Sequence, residues 1–261
     1  MSKVYPKLLA RALAHNKEIK EKYAEETQHS IDTTIIYNKS IKHAVSFSSS
    51  DDTSPSIVLT DANTVDAIHK YAKDGKICAL NYASYKTPGG GYMKGMMAQE
   101  EYLCHHSNLY SVISAFDDYY RENNKDLNKG LYRDVALYSK DIIFDNKSKC
   151  DIITCAAPNI GFIYSKVKPE ENLAALKSRI KMVLLIADRN GNDVFIAGAW
   201  GCGVFGQNAE LVSKLFIDCI RNNTYKNLKK IVFAIPNKGD GYNNYKMFAR
   251  SMKRANVYHV E

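Results

Sequence analysis

The sequence lacks most of the features that assign a chain quickly. It has no run of roughly 18 apolar residues of the kind that spans a bilayer. Its opening stretch, MSKVYPKLLARALAHNKEIK, is too charged for the apolar centre of a signal peptide. An intracellular, cytoplasmic protein without membrane attachment is therefore expected. No CxxC pair occurs: Cys78, Cys104, Cys150, Cys155, Cys202 and Cys219 lie far apart, mostly inside apolar runs. That argues for reduced, buried thiols and against a disulfide framework. No Gly-Lys-Ser/Thr completes a P-loop, and no block of Lys and Arg interleaved with aromatics forms a nucleic-acid module. Cys104, His105 and His106 are consecutive, whereas zinc ligands use wider spacing. No metal is expected.

What is present is an ordinary globular composition. Of 261 residues, 45% are hydrophobic and 25% charged, enough for one sizeable core. Residues 1–261 are read as a single domain. Lys and Arg outnumber Asp and Glu by 36 to 28, a formal net charge of +8, which suits a polyanionic partner as well as it suits solubility.

Hydropathy patterning gives the elements. Residues 7–26 hold good helix formers with the apolar ones in the first half, predicting a peripheral N-terminal helix with a solvated end. Strands are expected at 33–37 and 57–60, separated by the surface loop SFSSSDDTSPS. Asp61 is expected to cap a helix over 62–73. A buried strand at 76–83 precedes a helix over 98–116, and a polar connection, RENNKDLNKG, leads to strands at 134–138 and 151–157. An amphipathic helix over 169–188, a strand at 194–199, a helix over 209–221, a strand at 230–235, a helix over 242–254 and a strand at 257–260 complete the chain. Such alternation predicts an α/β fold with a largely parallel central sheet.

Two of these strands run into glycine-rich loops that lead to helices: NYASYKTPGGGYMKGMMAQEE, from Asn81, and GAWGCGVFG, from Gly198. Consecutive glycines carry an entropic cost and add nothing to a core, so their use is close approach of backbone to a ligand or to other backbone. In α/β sheets, amides and helix N-termini beyond the strand ends receive anions. Two such loops on one edge would enclose a diphosphate. Compensation of the helix dipole alone explains Glu100 and Glu101; beside a ligand loop they also become candidates for acid–base chemistry. Adjacent helical residues point about 100° apart, so the two do not straddle one glycosidic bond. One would act as general acid and then base, the other would grip a sugar hydroxyl.

Gly89, Gly90 and Gly91, seven further residues, and then Gln99, Glu100 and Glu101 resemble the signature of the poly(ADP-ribose) glycohydrolases. GAWGCGVFG resembles the diphosphate loop of their bacterial-type branch, a family of macrodomains, and TCAAPN and VFAIPN are similar to that branch as well. The resemblance implies a three-layer α/β/α macrodomain with a mixed, largely parallel central sheet, here preceded by an N-terminal helical extension over residues 1–26. It implies hydrolysis of the ribose–ribose O-glycosidic bonds of poly(ADP-ribose), mainly from chain ends, releasing ADP-ribose without metal or cofactor. A monomer is expected.

Carried over residue by residue, the resemblance makes Glu101 the catalytic acid and Glu100 the residue that orients ribose hydroxyls. Gln99, Gly89, Gly90 and Gly91 line the first loop, and Asn81 matches a polar residue near the scissile ribose. Gly201, Cys202, Gly203, Val204, Phe205 and Gly206 fall on the diphosphate loop, with Phe205 against a ribose. One departure stands out: the family pattern follows GVFG with Asn, and here Gln207 precedes Asn208. To donate a proton, Glu101 needs a pKa raised by desolvation and by its neighbour. Two other functions share the pocket. One is removal of single ADP-ribose units from protein or nucleic acid. The other is a non-catalytic ADP-ribose reader, against which the intact glutamate pair argues.

Remaining candidates have plainer readings. Trp200 is read as core, Cys202 as a small residue chosen to fit, and Lys226, Lys229 and Lys230 as a solvated strand entry. Tyr82, Tyr85 and Tyr92 flank the first loop, with nothing in the sequence to choose among them.

Overall fold

The computed structural model describes residues 4–38, 54–161, 166–239 and 242–257. Strands β1 (Ile35–Tyr37), β2 (Ser56–Thr60), β3 (Ile77–Tyr82), β4 (Ala136–Ile143), β5 (Lys149–Cys155), β6 (Val194–Ala197) and β7 (Lys230–Ala234) form one mixed sheet in the order β1-β4-β5-β3-β6-β7-β2. The five strands from β5 to β2 run parallel; β4 pairs antiparallel with both β5 and β1.

The two-residue period of a strand sends its side chains to two cores. In β3, Cys78 and Leu80 join one core with residues of α7 (Pro169–Arg189), α8 (Ala209–Arg221) and α9 (Tyr242–Arg254). Ile77 and Ala79 join the other, with α3 (Thr64–Tyr71), α4 (Gln99–His105) and α5 (Leu109–Ile113). Both faces of the parallel strands are covered, which is why they read as continuous apolar runs. The result is the expected α/β/α arrangement.

Several boundaries differ from expectation. The N-terminal segment is two helices, α1 (Pro6–Lys22) and α2 (Ala24–Asp32), which meet at the non-helical Tyr23. The stretch expected to be solvated is so, with Lys20, Glu21, Lys22, Ala24 and Glu25 exposed; the chain docks beyond it, where Ser30 is buried and donates to the Asp141 carbonyl and Thr34 donates to Ser139. The helix expected over 98–116 is broken at Ser107 and Asn108. Ser107 turns back to donate to the Leu103 carbonyl, and the Asn108 side chain accepts from the Ile143 N–H and donates to Thr27. Propensity favoured continuity there; side chains that bond backbone locally favoured a break. The polar connection contains α6 (Asp117–Lys125). Asn63, not Asp61, caps α3, while Asp61 accepts from the Asn237 N–H. The strand expected at 257–260 lies outside the described residues except for Val257, as does most of the loop expected between β1 and β2.

α1 packs onto the loop ahead of α4. The Tyr5 N–H donates to the Lys94 carbonyl, and the buried Tyr92 hydroxyl donates to the Ala12 carbonyl. The left-handed Gly95 is fitted against it, since a β-carbon there would stand 2.4 Å from the Tyr5 carbonyl oxygen. Among the described residues, no helix is long and apolar enough to cross a membrane, and all six cysteines are free thiols.

Candidate active site

Beyond the C-terminal ends of β3, β6 and β7 lies a cavity of about 830 Å³. The first glycine loop and the start of α4 form one wall, and the loop after β6 forms the other.

α4 begins with an apolar cap residue, Ala98, whose side chain has nothing to offer the free N–H groups of a helix start. Glu101 supplies what is missing. Its Oε2 accepts from the Ala98 N–H (2.9 Å), and its Oε1 accepts from the Gly91 N–H (2.7 Å). The carboxylate thus joins the glycine loop to the helix. Glu100 points elsewhere, as the helical turn requires. Its Oε2 accepts from the Ser84 N–H (2.7 Å) and its Oε1 from the Asn81 side chain (3.3 Å). Gln99 extends the hydrogen bonding of β3: its Oε1 accepts from the Tyr82 N–H, and its Nε2 donates to the Leu80 carbonyl and to Thr64.

Gly90 explains the central glycine of the triplet. Its φ is +57°, and a β-carbon there would stand 2.7 Å from Glu101 Oε1 and 2.9 Å from Glu100 Oε2. Any side chain would displace the carboxylates. Both glutamates are buried, 4% and 5% exposed, and both line the cavity. Burial pushes the Glu100 carboxyl up to about 8, against the Ser84 N–H bond that lowers it and with the neighbouring Glu101 adding to the rise. A neutral Glu100 has a proton to give, and Asn81 Oδ1 is buried without a partner. Rotating the Asn81 amide by half a turn would let that oxygen accept the proton.

The second loop is latched at its base and open at its tip. Gln207, which departs from the family pattern, is buried and donates to the Pro158 carbonyl and the Asn172 side chain, while its own oxygen accepts from Asn172. Asn208 caps α8 through the Leu211 N–H. At the tip, a β-carbon on Gly203 would meet nothing within 4 Å, and Val204 is 87% exposed. Phe205 lies edge-on to Tyr132, which is itself stacked on Tyr85. Burial pushes the Cys202 thiol up to about 12, so it is not a reactive thiolate.

Of the residues singled out in the sequence, Gly90, Gly91, Gln99, Glu100 and Glu101 line the cavity, as do Gly201, Cys202, Gly203, Val204 and Phe205. Asn81, Gly89 and Gly206 stand behind its wall. Asn81 is fully buried behind Glu100, Gly89 is packed on the Tyr110 ring, and the Gly206 N–H closes a turn onto the Gly203 carbonyl. Of these three tyrosines Tyr82 lines the cavity, as Tyr102 also does, while Tyr85 and Tyr92 are buried in packing. Trp200 is core, donating to the Cys155 carbonyl. Lys229 and Lys230 pair with Asp193 and Asp74 at the opposite end of β7, and His106 and His105 diverge, one to Asp145 and the other onto Tyr92. Sequence reading missed Ser84, which acts through its backbone, and the cavity residues Thr64, Met96, Met97 and Asn244. Ala157, Ile235 and Pro236, from the TCAAPN and VFAIPN segments, also line it.

The microbial-type PARG catalytic-domain model matches residues 9–146, more than half of the chain. The chain belongs to that family. It is a poly(ADP-ribose) glycohydrolase, an enzyme of the class that its glycine and glutamate motif resembled. The matched span holds the first loop and both glutamates; likeness to solved structures reaches further along the chain. A poly(ADP-ribose) glycohydrolase from Thermomonospora curvata superposes with a TM-score of 0.80 at 25% identity, covering 95% of this chain and 100% of that one. The same enzyme bound to the inhibitor ADP-HPD gives 0.79 at 25% identity, over 94% and 99%. The enzyme from Deinococcus radiodurans in complex with ADP-ribose gives 0.74 at 25% identity, over 88% and 98%. No curated protein sequence matches the chain.

Proposed function

We propose that Glu101 is the general acid and base that cleaves the ribose–ribose bond, with Glu100 the neutral neighbour that holds a ribose hydroxyl. The observation that carries this reading is the hold on Glu101, with its oxygens on the Gly91 and Ala98 N–H groups, in the wall of the cavity that the second loop completes. The diphosphate of one ADP-ribose unit lies along residues 201–206, and Phe205 packs on a ribose. Glu101 gives its proton to the leaving 2′-oxygen as the glycosidic bond breaks. The substrate's own diphosphate offsets the positive charge that develops on the departing ribose carbon. Water then attacks that carbon and returns its proton to Glu101, which leaves ADP-ribose free and the enzyme unchanged. Keeping Glu100 neutral avoids two adjacent buried anions once Glu101 has given up its proton, and Asn81 positions Glu100 from behind.

A cavity of about 830 Å³ is of the size that holds one small ligand, which supports cleavage one unit at a time from chain ends. One copy of a single domain, residues 1–261, would supply every group named. The reaction is assigned to the cytoplasm, where free thiols stay reduced.

The test is incubation of the purified protein with poly(ADP-ribose) and with mono-ADP-ribosylated protein, beside Glu101→Ala. Release of ADP-ribose from the polymer is expected, with a loss of about 100-fold or more in the variant. Consumption of the mono-modified protein alone would install the single-unit reading instead. If both proteins bind ADP-ribose equally and release nothing, the acid–base assignment is wrong.

A further inference from the structure

Apolar side chains exposed at the mouth of a polar reaction need a reason. Among the large apolar residues described as exposed, three line the cavity: Met96 (43%), Met97 (39%) and Val204 (87%). The two methionines stand beside the groups that hold Glu101. Met96 lies over Gly91, its Sδ 2.3 Å from where a β-carbon on that glycine would be, and the Gly91 N–H holds Glu101 Oε1. Met97 immediately precedes Ala98, whose N–H holds Glu101 Oε2.

Building on the function proposed above, we infer that Met96 and Met97 form a subsite for the adenine of the leaving adenosine. The chemistry fixes what must lie there. The bond broken at Glu101 joins the ribose retained in the cavity to the ribose of the next adenosine, so that nucleoside sits next to the catalytic carboxyl. Its one large apolar surface is the purine ring. Methionine suits such a partner: the thioether is polarisable, favours aromatic rings, and its three rotatable bonds let it follow a base on a flexible polymer. The exposed methionines thus act on the leaving side of the bond, and substrate preference follows, since an adenosine leaving group gains a contact that a protein side chain does not.

Calorimetry with ADP-ribose and with di(ADP-ribose) tests this in a Glu101→Gln background that prevents cleavage. The dimer is expected to bind about fivefold to tenfold more tightly than the monomer, the range of one or two sulfur–aromatic contacts. Adding Met96→Ser and Met97→Ser should bring that ratio close to one. The inference is overturned if the ratio survives the two substitutions, if it is already one in the parent, or if the substitutions weaken ADP-ribose as much as the dimer, which would place the methionines on the retained unit. A parent that binds neither ligand removes the reading of the site itself, and this inference with it.

Discussion

The two glycine loops look alike in sequence and do opposite things in the fold. The first closes on its own chain: N–H groups of Ser84, Gly91 and Ala98 are taken up by Glu100 and Glu101, and Gly90 is a glycine because two carboxylate oxygens occupy the space of a side chain. The second is fastened at its base by Gln207 and keeps its tip open, with empty space beside Gly203. Glycine serves the first loop by close packing around Glu100 and Glu101, and leaves open space in the second. The same residue type therefore predicts different penalties in the two places.

Gly90→Ala should break this contrast most severely. The added carbon meets Glu101 Oε1 at 2.7 Å in a left-handed conformation, so, on the role proposed for Glu101, polymer hydrolysis should fall by about 100-fold or more as its carboxyl is displaced. Gly203→Ala should leave thermal stability within about 0.5 kcal/mol of wild type. Equal melting shifts in the two variants would refute the distinction between the loops.

Next in size is a pH effect confined to the first loop. Unfolded, Glu100 ionises near 4.5; folded, near 8. Between those values the unfolded chain has released a proton that the folded chain still holds, so stability falls as pH rises through the window. Glu100→Gln removes that loss. Relative to wild type its stability should improve between pH 5 and 8 by on the order of a few kcal/mol. Parallel stability–pH curves from denaturant titrations would show that Glu100 is ionised in the fold at neutral pH.

Loosening the second loop is a milder intervention. Gln207→Ala leaves the Pro158 carbonyl and Asn172 without buried partners, a cost of about 1–3 kcal/mol. A raised KM with a smaller change in kcat is expected in steady-state assays. A variant with unaltered KM would mean that the latch does not set the loop. Smallest of all is Lys229→Ala. This residue pairs with Asp193 in an exposed bridge at the far end of β7, so less than about 1 kcal/mol of stability is at stake. Polymer KM should stay within about twofold; a larger rise would make that lysine a polymer contact.

Much of the fold was legible because its signals are local. β3, β6 and β7 are short apolar runs bounded by breakers, and α7, α8 and α9 carry amphipathic periods, so their places were found within a residue or two. The failures share a cause. α4 and α5 are separated by bonds from Ser107 and Asn108 to backbone, one of them to a strand 35 residues away, and no hydropathy period records such bonds. α2 was missed because its few apolar residues look solvated until β4 lies against them.

The site divides in the same way. Gly89 to Gly91, Gln99 to Glu101 and residues 201–206 were marked by composition and spacing, because unusual backbone and paired carboxylates leave a trace in one dimension. Ser84 left none, since it serves through an N–H that every residue but proline possesses.

By itself, the sequence determined that a glycine loop, two glutamates and a second glycine loop follow parallel strands, since residue types and their spacing are enough to say so. Only the tertiary structure decided that Glu100 keeps its proton up to about pH 8, because a carboxyl's pKa depends on the water and charge that folding removes from it or brings to it. Helical geometry turns the two adjacent glutamates apart. Burial then raises Glu100, while Glu101 is fastened by two N–H groups from the loop it serves.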